Sequence, residues 1–430
     1  MFKNILKITA LTALVISCFC LITYADEVLL NTTEHNRYME IENGRFRPND
    51  PLTRSEAARM FYKLLKKQPS SSEMFTDLSD SDCKDEANAL GTLGILNGYD
   101  GDKFYPQNTL TRAEFAVILK RFFPDEEASE YKSGFSDVLD GFWGIDGILF
   151  AAEKGFINGY PDGTFAPEEY ISRAETAAIM NKVLLRSGDA DVIGYAKNIR
   201  IFLDVSRENW AFYEIIEATT SHEYEKNSDG IETWTSWVSE TSGLAEGFHT
   251  FDGHLYYVNE SGQPVRAEDV SAWRFDWNGR YTTWNEELDG YLTDVIKSVT
   301  TDDMKKEEKR RALYEYIRDN YRYLKKPLIE KGTVGWQAEY AINFFNERVG
   351  NCFSFEAAYG SLLKKVGFEV NFVVGTTGTN NAPHGWVEII IDDVVYIDDP
   401  EIEMSRRVKG NFKTNLYNFT YATAPWPYKK

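Results

Sequence analysis

The sequence predicts a multidomain chain in three parts: a helical repeat module, a small β-hairpin segment, and an α+β domain toward the C-terminus. Three observations carry that reading. One sequence unit recurs three times between residues 27 and 220. A Gly-bounded, aromatic-rich stretch then alternates with the period of a strand. Last, a cysteine opening a helical pattern is followed by a histidine on one strand and an aspartate closing the next. At 430 residues the chain is long enough for several cores, and its composition is that of a globular protein.

At the N-terminus Lys3 and Lys7 precede an apolar stretch from Ile8 to Ile22 and then Thr23-Tyr24-Ala25. This is the layout of a secretory signal spanning 1–25, cleaved after Ala25. Val15-Ile16-Ser17-Cys18 loosely fits a lipoprotein cleavage box, but the apolar Phe19, Cys20, Leu21 and Ile22 argue against it. No later apolar run reaches the ~20 residues that span a bilayer, so export without a membrane span is expected. Removing the signal leaves only Cys83 and Cys352, which is no disulfide framework. No Cys/His cluster has ligand spacing, so neither metal nor cofactor is expected.

The repeats are GRFRPNDPLTRSEAARMFYKLL, DKFYPQNTLTRAEFAVILKRFF and GTFAPEEYISRAETAAIMNKVL, with Phe46, Phe104 and Phe165 in register. They fall at about 27–67, 75–123 and 135–185. Each contains Thr/Ser-Arg-x-Glu ahead of an apolar helical pattern, which predicts a capping box at Thr53/Glu56, Thr111/Glu114 and Ser172/Glu175. Thr176 is the polar exception in those apolar positions. Arg54, Arg112 and Arg173 sit at the first helical position and have no capping duty, which makes them candidate ligand contacts; the alternative is a solvated arginine or one paired with a neighbouring Asp. A second block reads Phe75-Thr-Asp-Leu, Phe135-Ser-Asp-Val and Phe202-Leu-Asp-Val. Repeat one lacks this half, so 202–218 is expected to complete its lobe. Residues 186–200 and 221–246 are polar and irregular and read as linkers.

Between residues 247 and 292, alternating aromatic pairs bounded by glycine predict short hairpins. Tyr256, Tyr257, Trp273, Trp277 and Trp284 are candidates to stack on sugars, although cross-strand packing is the commoner use of such rings. In 293–430, apolar Phe355, Ala358, Leu362, Leu363 and Val366 recur at helical spacing behind Cys352, which sets the thiol at a helix N-terminus where partial positive charge favours thiolate. A two-residue turn at Asp392-Asp393 would pair Ile391 with Val394 and Trp386 with Asp399. His384 then shares a face with Asp399, roughly 7 Å away across the diagonal, while Asp398 faces the other side. Thiol, imidazole and carboxylate in this arrangement are the parts of a nucleophile, its base and the base's orienter.

The repeats resemble S-layer homology domains over about residues 27 to 220. The resemblance implies a pseudo-threefold helical assembly that grips an acidic secondary cell-wall polysaccharide through the helix-start arginines and an Asn-Gly-Tyr-x-Asp-Gly loop. That loop is Asn158 to Gly163 in repeat three and looser at Asn97 to Asp102 in repeat two, which adds Gly98, Asp100, Gly159 and Asp162 to the candidate contacts. Segment 247–292 resembles the hairpin repeats of wall-binding proteins. Gly-Asn-Cys before a helix, His-x-Trp-x-Glu on a strand and Asp-Pro after it resemble the transglutaminase-like cysteine superfamily over about residues 300 to 415. That resemblance implies a papain-like α+β fold, with Cys352 as nucleophile, His384 as base and Asp399 as orienter. Its oxyanion hole would use the Cys352 backbone N–H and an upstream donor, Trp336 or Gln337. Family members cross-link amides, hydrolyse them or have lost activity.

The expectation is therefore a secreted protein anchored non-covalently to the wall or S-layer, acting as a cysteine enzyme on surface proteins or wall peptides. The alternative is an inactive S-layer structural or polysaccharide-binding protein. A net charge of −20, or −22 once Lys3 and Lys7 leave, excludes the basic stripe that nucleic acid requires. An acidic wall polymer is not excluded, because charge repulsion is screened beyond ~8 Å while local arginine hydrogen bonds contribute roughly 1.5–3 kcal/mol each.

Overall fold

The computed structural model describes residues 30–124, 134–228, 231–239 and 241–430; the expected signal segment lies outside these. The chain divides into two compact units, one ending at Gly243 and one beginning at Leu244.

The first unit is helical: α1 (Arg54–Lys63), α2 (Lys84–Thr92), α3 (Arg112–Arg121), α4 (Ile145–Glu153), α5 (Arg173–Val183), α6 (Ala190–Tyr195) and α7 (Phe212–Thr219). Helices α1, α3 and α5 each open with the predicted capping box, so two otherwise orphaned backbone N–H groups are met at every start. Their apolar faces pack α1 on α2, α3 on α4 and α5 on α7. Thr176 is fully buried and its hydroxyl donates to the Ser172 carbonyl, which removes the cost of a polar group in that face.

The Phe-x-Asp blocks act through backbone capture. Asp77 accepts from the N–H groups of Phe104 and Tyr105, and Asp137 from those of Phe165 and Ala166. Asp204 accepts from Phe46 and Arg47 at 2.9 and 2.7 Å across a sequence separation of 158 residues, so the block at 202–218 serves repeat one. Arg47, Tyr105 and Ala166 all adopt left-handed backbone, with φ of 59°, 52° and 56°, which turns two successive N–H groups toward one carboxylate.

Both segments read as linkers belong to this unit. Residues 190–195 form α6, and β1 (His222–Lys226) pairs with β2 (Glu232–Trp237) in an antiparallel hairpin. Polar alternation concealed the hairpin: Trp234, 3% exposed, joins the apolar core and half-buried Trp237 packs against it, but the other buried residues of the two strands are His222 and Glu232.

The second unit begins with the expected hairpins, β3 (Gly247–Phe251) with β4 (His254–Val258) and β5 (Glu268–Val270) with β6 (Trp273–Phe275). Tyr256 and Trp273 are buried, and Trp284 is 68% exposed. Helices α8 (Glu286–Val299) and α9 (Lys306–Asn320) follow, then a two-residue strand β7 (Arg322–Tyr323), α10 (Gln337–Glu347) and β8 (Val349–Gly350), which pairs with β7. Helix α11 (Cys352–Lys365) is buried almost all round. It packs on β9 (Glu369–Thr377) and β10 (Ala382–Ile391) of an antiparallel sheet ordered β11 (Val394–Asp398), β10, β9, β12 (Tyr428–Lys429). Helix α12 (Pro400–Val408) leaves the sheet directly after β11.

Candidate active site

Cys352 is the first residue of α11, behind Asn351, whose side chain accepts the Ser354 N–H and caps the helix. The sulfur therefore lies where unmet helical N–H groups concentrate positive potential. Asn351 is itself held by donating to the Pro327 carbonyl at 2.9 Å.

The Asp392-Asp393 turn has two residues, both with positive φ, and Ile391 pairs with Val394. Counting back from Val387 opposite Asp398 puts Asp399 next to Trp386 and diagonal to His384. His384 Nε2 meets Asp399 Oδ2 at 2.7 Å, and the imidazole also hydrogen-bonds the Cys352 sulfur, for which Nδ1 is the nitrogen left. Burial pulls the His384 pKa down, but the Asp399 carboxylate and the Cys352 sulfur outweigh it and hold the imidazole well above its ordinary value. This favours the imidazolium form beside the Cys352 sulfur. Asp398 takes the opposite face, where Arg310 clamps it at 2.8 and 2.9 Å and Tyr359 donates at 2.7 Å. Two adjacent aspartates thus have separate duties because a strand alternates its side chains.

Three further carboxyl or phenol groups surround the pair. Tyr428 donates to the same Asp399 Oδ2 at 2.7 Å, while Asp399 Oδ1 accepts the Ile402 N–H and caps α12. Glu401 Oε2 lies 3.9 Å from His384 Nδ1; burial, then the neighbouring Asp399 charge, push its carboxyl up. Glu356, one helical turn beyond Cys352, is buried with neither oxygen in a hydrogen bond of ordinary geometry, and burial drives its carboxyl well above its usual range. Glu356 was detectable as the i+4 neighbour of Cys352. Tyr428 carried no sequence signal. Of the two oxyanion candidates, Trp336 packs edge-on against Phe353, the residue after Cys352. Gln337 opens α10 and lines a groove with Thr283, Trp284 and Ser361. Cys83 and Cys352 are both buried, unpaired thiols.

The helix-start arginines of the first unit are 2–4% exposed. Arg54 donates to the carbonyls of Phe104 and Asn97, Arg112 to those of Phe165 and Asn158, and Arg173 to those of Phe46 and Glu40. Arg112 and Arg173 also pair with Glu175 and Glu56 at 3.1 and 2.7 Å. Neither a solvated arginine nor an aspartate pair describes them: each ties its helix to the loop of the next repeat, with Arg173 tying back to the first. Gly98 and Gly159 are required by packing, since a Cβ would approach the carbonyl oxygens of Lys103 and Thr164 to 2.8 and 2.6 Å. Asp162 bonds the Thr164 hydroxyl and N–H. Asp100 has φ of 48° and accepts from Tyr105 at 3.4 Å. Arg54 and Gly98 nevertheless line a groove of about 480 Å³ with Tyr99, Arg121, Trp143 and Glu168, where Trp143 is 60% exposed.

Comparison with known proteins agrees with both regions. The transglutaminase-like superfamily model matches residues 293–398, and the S-layer homology domain model matches 40–58, 75–116 and 134–177. Cell surface glycoprotein 1 of Acetivibrio thermocellus is 34% identical over 206 residues, which is 44% of this chain and 9% of that protein. The cellulosome-anchoring protein of the same organism is 31% identical over 212 residues, 47% of this chain and 46% of its own length. The surface layer protein of Brevibacillus choshinensis is 28% identical over 98 residues, 22% and 9%. The chain spans less than half the length of each of these relatives. It carries S-layer homology repeats in its N-terminal part and a transglutaminase-like domain in its C-terminal part.

Proposed function

We propose that this protein is a wall-anchored cysteine enzyme that transfers or hydrolyses acyl groups from amides of surface proteins or wall peptides. The repeats hold it outside the cell, non-covalently, on a secondary cell-wall polysaccharide, in a pseudo-threefold assembly with the groove beside Arg54, Tyr99 and Trp143 as the contact. No helix among the described residues is long and apolar enough to cross a membrane.

The observation that carries the catalytic half is the single chain of contacts from Cys352 through His384 to Asp399. Cys352 thiolate attacks the carboxamide carbon, and the nitrogen leaves with the proton that His384 gives up. Water or a second amine then adds to the thioester, returns its proton to His384 and frees Cys352. Asp399 keeps the imidazole in the tautomer and orientation that both steps need. Tethering raises the effective concentration of wall substrates, so modest intrinsic affinity suffices.

The test is to incubate the protein with purified wall and with amine-tagged probe proteins and read products by mass. Released or cross-linked products that vanish with Cys352→Ala support the reading. Iodoacetamide modification of Cys352 at the rate of an ordinary thiol near neutral pH, unchanged by His384→Ala, sinks it. A second reading, an inactive scaffold in an S-layer, draws on the burial of the pair, with Cys352 and His384 each only 4% exposed.

A further inference from the structure

Away from the active site, the first unit brings together four ionisable side chains that its sequence scatters over nearly 200 positions. His35 lies near the start of the first repeat, Glu217 in the last turn of α7, His222 opens β1 and Glu232 opens β2. All four are buried, at 3%, 0%, 7% and 3% exposure, and one ligand-type atom from each lies within 4.8 Å of the others.

Their spacing is that of a coordination shell. His35 Nδ1 lies 2.9 Å from His222 Nε2 and 3.7 Å from both Glu217 Oε1 and Glu232 Oε2, and His222 Nε2 lies 3.5 Å from Glu217 Oε1. Four ligands at about 2.0–2.1 Å from a tetrahedral ion stand roughly 3.3–3.4 Å apart, inside that spread. The outer contacts orient the rings for this. His222 Nδ1 donates to the Thr220 carbonyl at 3.0 Å, leaving Nε2 as a lone pair aimed inward. His35 stacks on Tyr224 and His222 on Trp234, each at 3.8 Å between centroids. Glu232 Oε2 accepts the Ser187 N–H.

A hydrogen-bonded histidine pair alone leaves the cluster unexplained. Neither oxygen of fully buried Glu217 closes a hydrogen bond of ordinary geometry; the Trp234 indole N–H is near enough to favour the carboxylate but does not reach that geometry. The cations nearby are engaged elsewhere or at the edge: Arg186 donates to the Asn36 and Glu34 carbonyls, and Lys226 Nζ lies 3.1 Å from Glu232 Oε1 at the exposed side.

We infer that His35, Glu217, His222 and Glu232 form a structural site for a divalent transition-metal ion, with zinc the best match to a closed set of two imidazoles and two carboxylates. Imidazole ligands disfavour calcium and magnesium, which take oxygen shells. A cavity of about 410 Å³ lined by His35, His222 and Tyr224 supplies the entry path. The ion would staple the start of repeat one to the end of α7 and to the β1–β2 hairpin, the segments that close the repeat module. Sequence reading expected no metal because it searched for clusters of cysteine and histidine, and here the two histidines lie 187 residues apart and the remaining ligands are glutamates.

The test uses the whole chain carrying Cys352→Ser, so that the thiol offers no competing ligand. After chelation and dialysis, zinc and cobalt(II) are titrated separately. The expected result is one ion per chain, a tetrahedral cobalt spectrum in the visible, a higher melting midpoint for the first unit, and two imidazole ligands in the zinc absorption fine structure of the unmutated site. Glu217→Gln, a near-isosteric change, should weaken binding at least tenfold, and His384→Ala should leave it unchanged. No ion bound at tenfold excess, an octahedral all-oxygen shell, or loss of the ion with His384→Ala instead of Glu217→Gln overturns the assignment.

Discussion

Arg173 and Cys352 occupy the same local position, the first residue of a helix behind a side-chain cap, yet the structure uses them in opposite ways. The hydrogen bonds of Arg173 all go to structural acceptors, two backbone carbonyls and the Glu56 carboxylate, and its guanidinium lies over the Phe46 ring. Cys352 faces a partner whose protonation it shares, and that partner is held by a carboxylate fixed from two other sides. A charged residue at a helix start is therefore not a site until its partners are known. Saturation by backbone marks architecture, and a titratable partner marks chemistry.

The sharpest break of this comparison is on the catalytic side. Asp399→Asn keeps the helix cap but misdirects the imidazole, so turnover in the wall assay should fall on the order of 10⁴-fold while the melting midpoint moves little. A loss below tenfold would leave Asp399 as a structural cap like Thr53.

On the other side, Arg173→Ala strips a buried charge from Glu56 and two carbonyls, and should cost roughly 3–5 kcal/mol of first-unit stability in urea unfolding. If stability were unchanged and only polysaccharide binding fell, Arg173 would be a ligand contact and the contrast would dissolve.

Proton uptake sharpens the second unit's side. His384, Glu356 and Glu401 all sit above their ordinary values, so the folded unit binds more protons than the unfolded chain. Their contribution is fully present below the unfolded values, 4.5 for the glutamates and 6.5 for the histidine, and is lost as pH rises through the raised folded values. Glu356→Gln should flatten this fall and exceed the parent by about 1–3 kcal/mol at pH 8, the two stability curves converging toward pH 4. Parallel curves would mean that Glu356 is not the source.

The smallest effect tests the caps. Thr111→Ala should cost about 1 kcal/mol, since only the Glu114 N–H loses its acceptor.

The contrast also explains what was readable in advance. Capping boxes, hairpin parity and the separate faces of Asp398 and Asp399 were legible because each depends on residues within a few positions of one another. The helix-start arginines were visible as residues without a local duty, but their partners lie 43 to 133 residues away, and only packing reveals that carbonyls use them up. Tyr428 and the buried histidines His35 and His222 were silent for the same reason. The segment 221–246 looked like a linker because two strands whose buried side chains are His222 on one and Glu232 with Trp234 on the other lack the apolar alternation that strand reading depends on.

The grip of Asp204 on Phe46 and Arg47 also sets a schedule. A chain made from its N-terminus must synthesise 158 more residues after Phe46 before that carboxylate exists, on the order of ten to thirty seconds at ordinary elongation rates. Through that interval the first repeat is an unfinished substrate for chaperones and proteases.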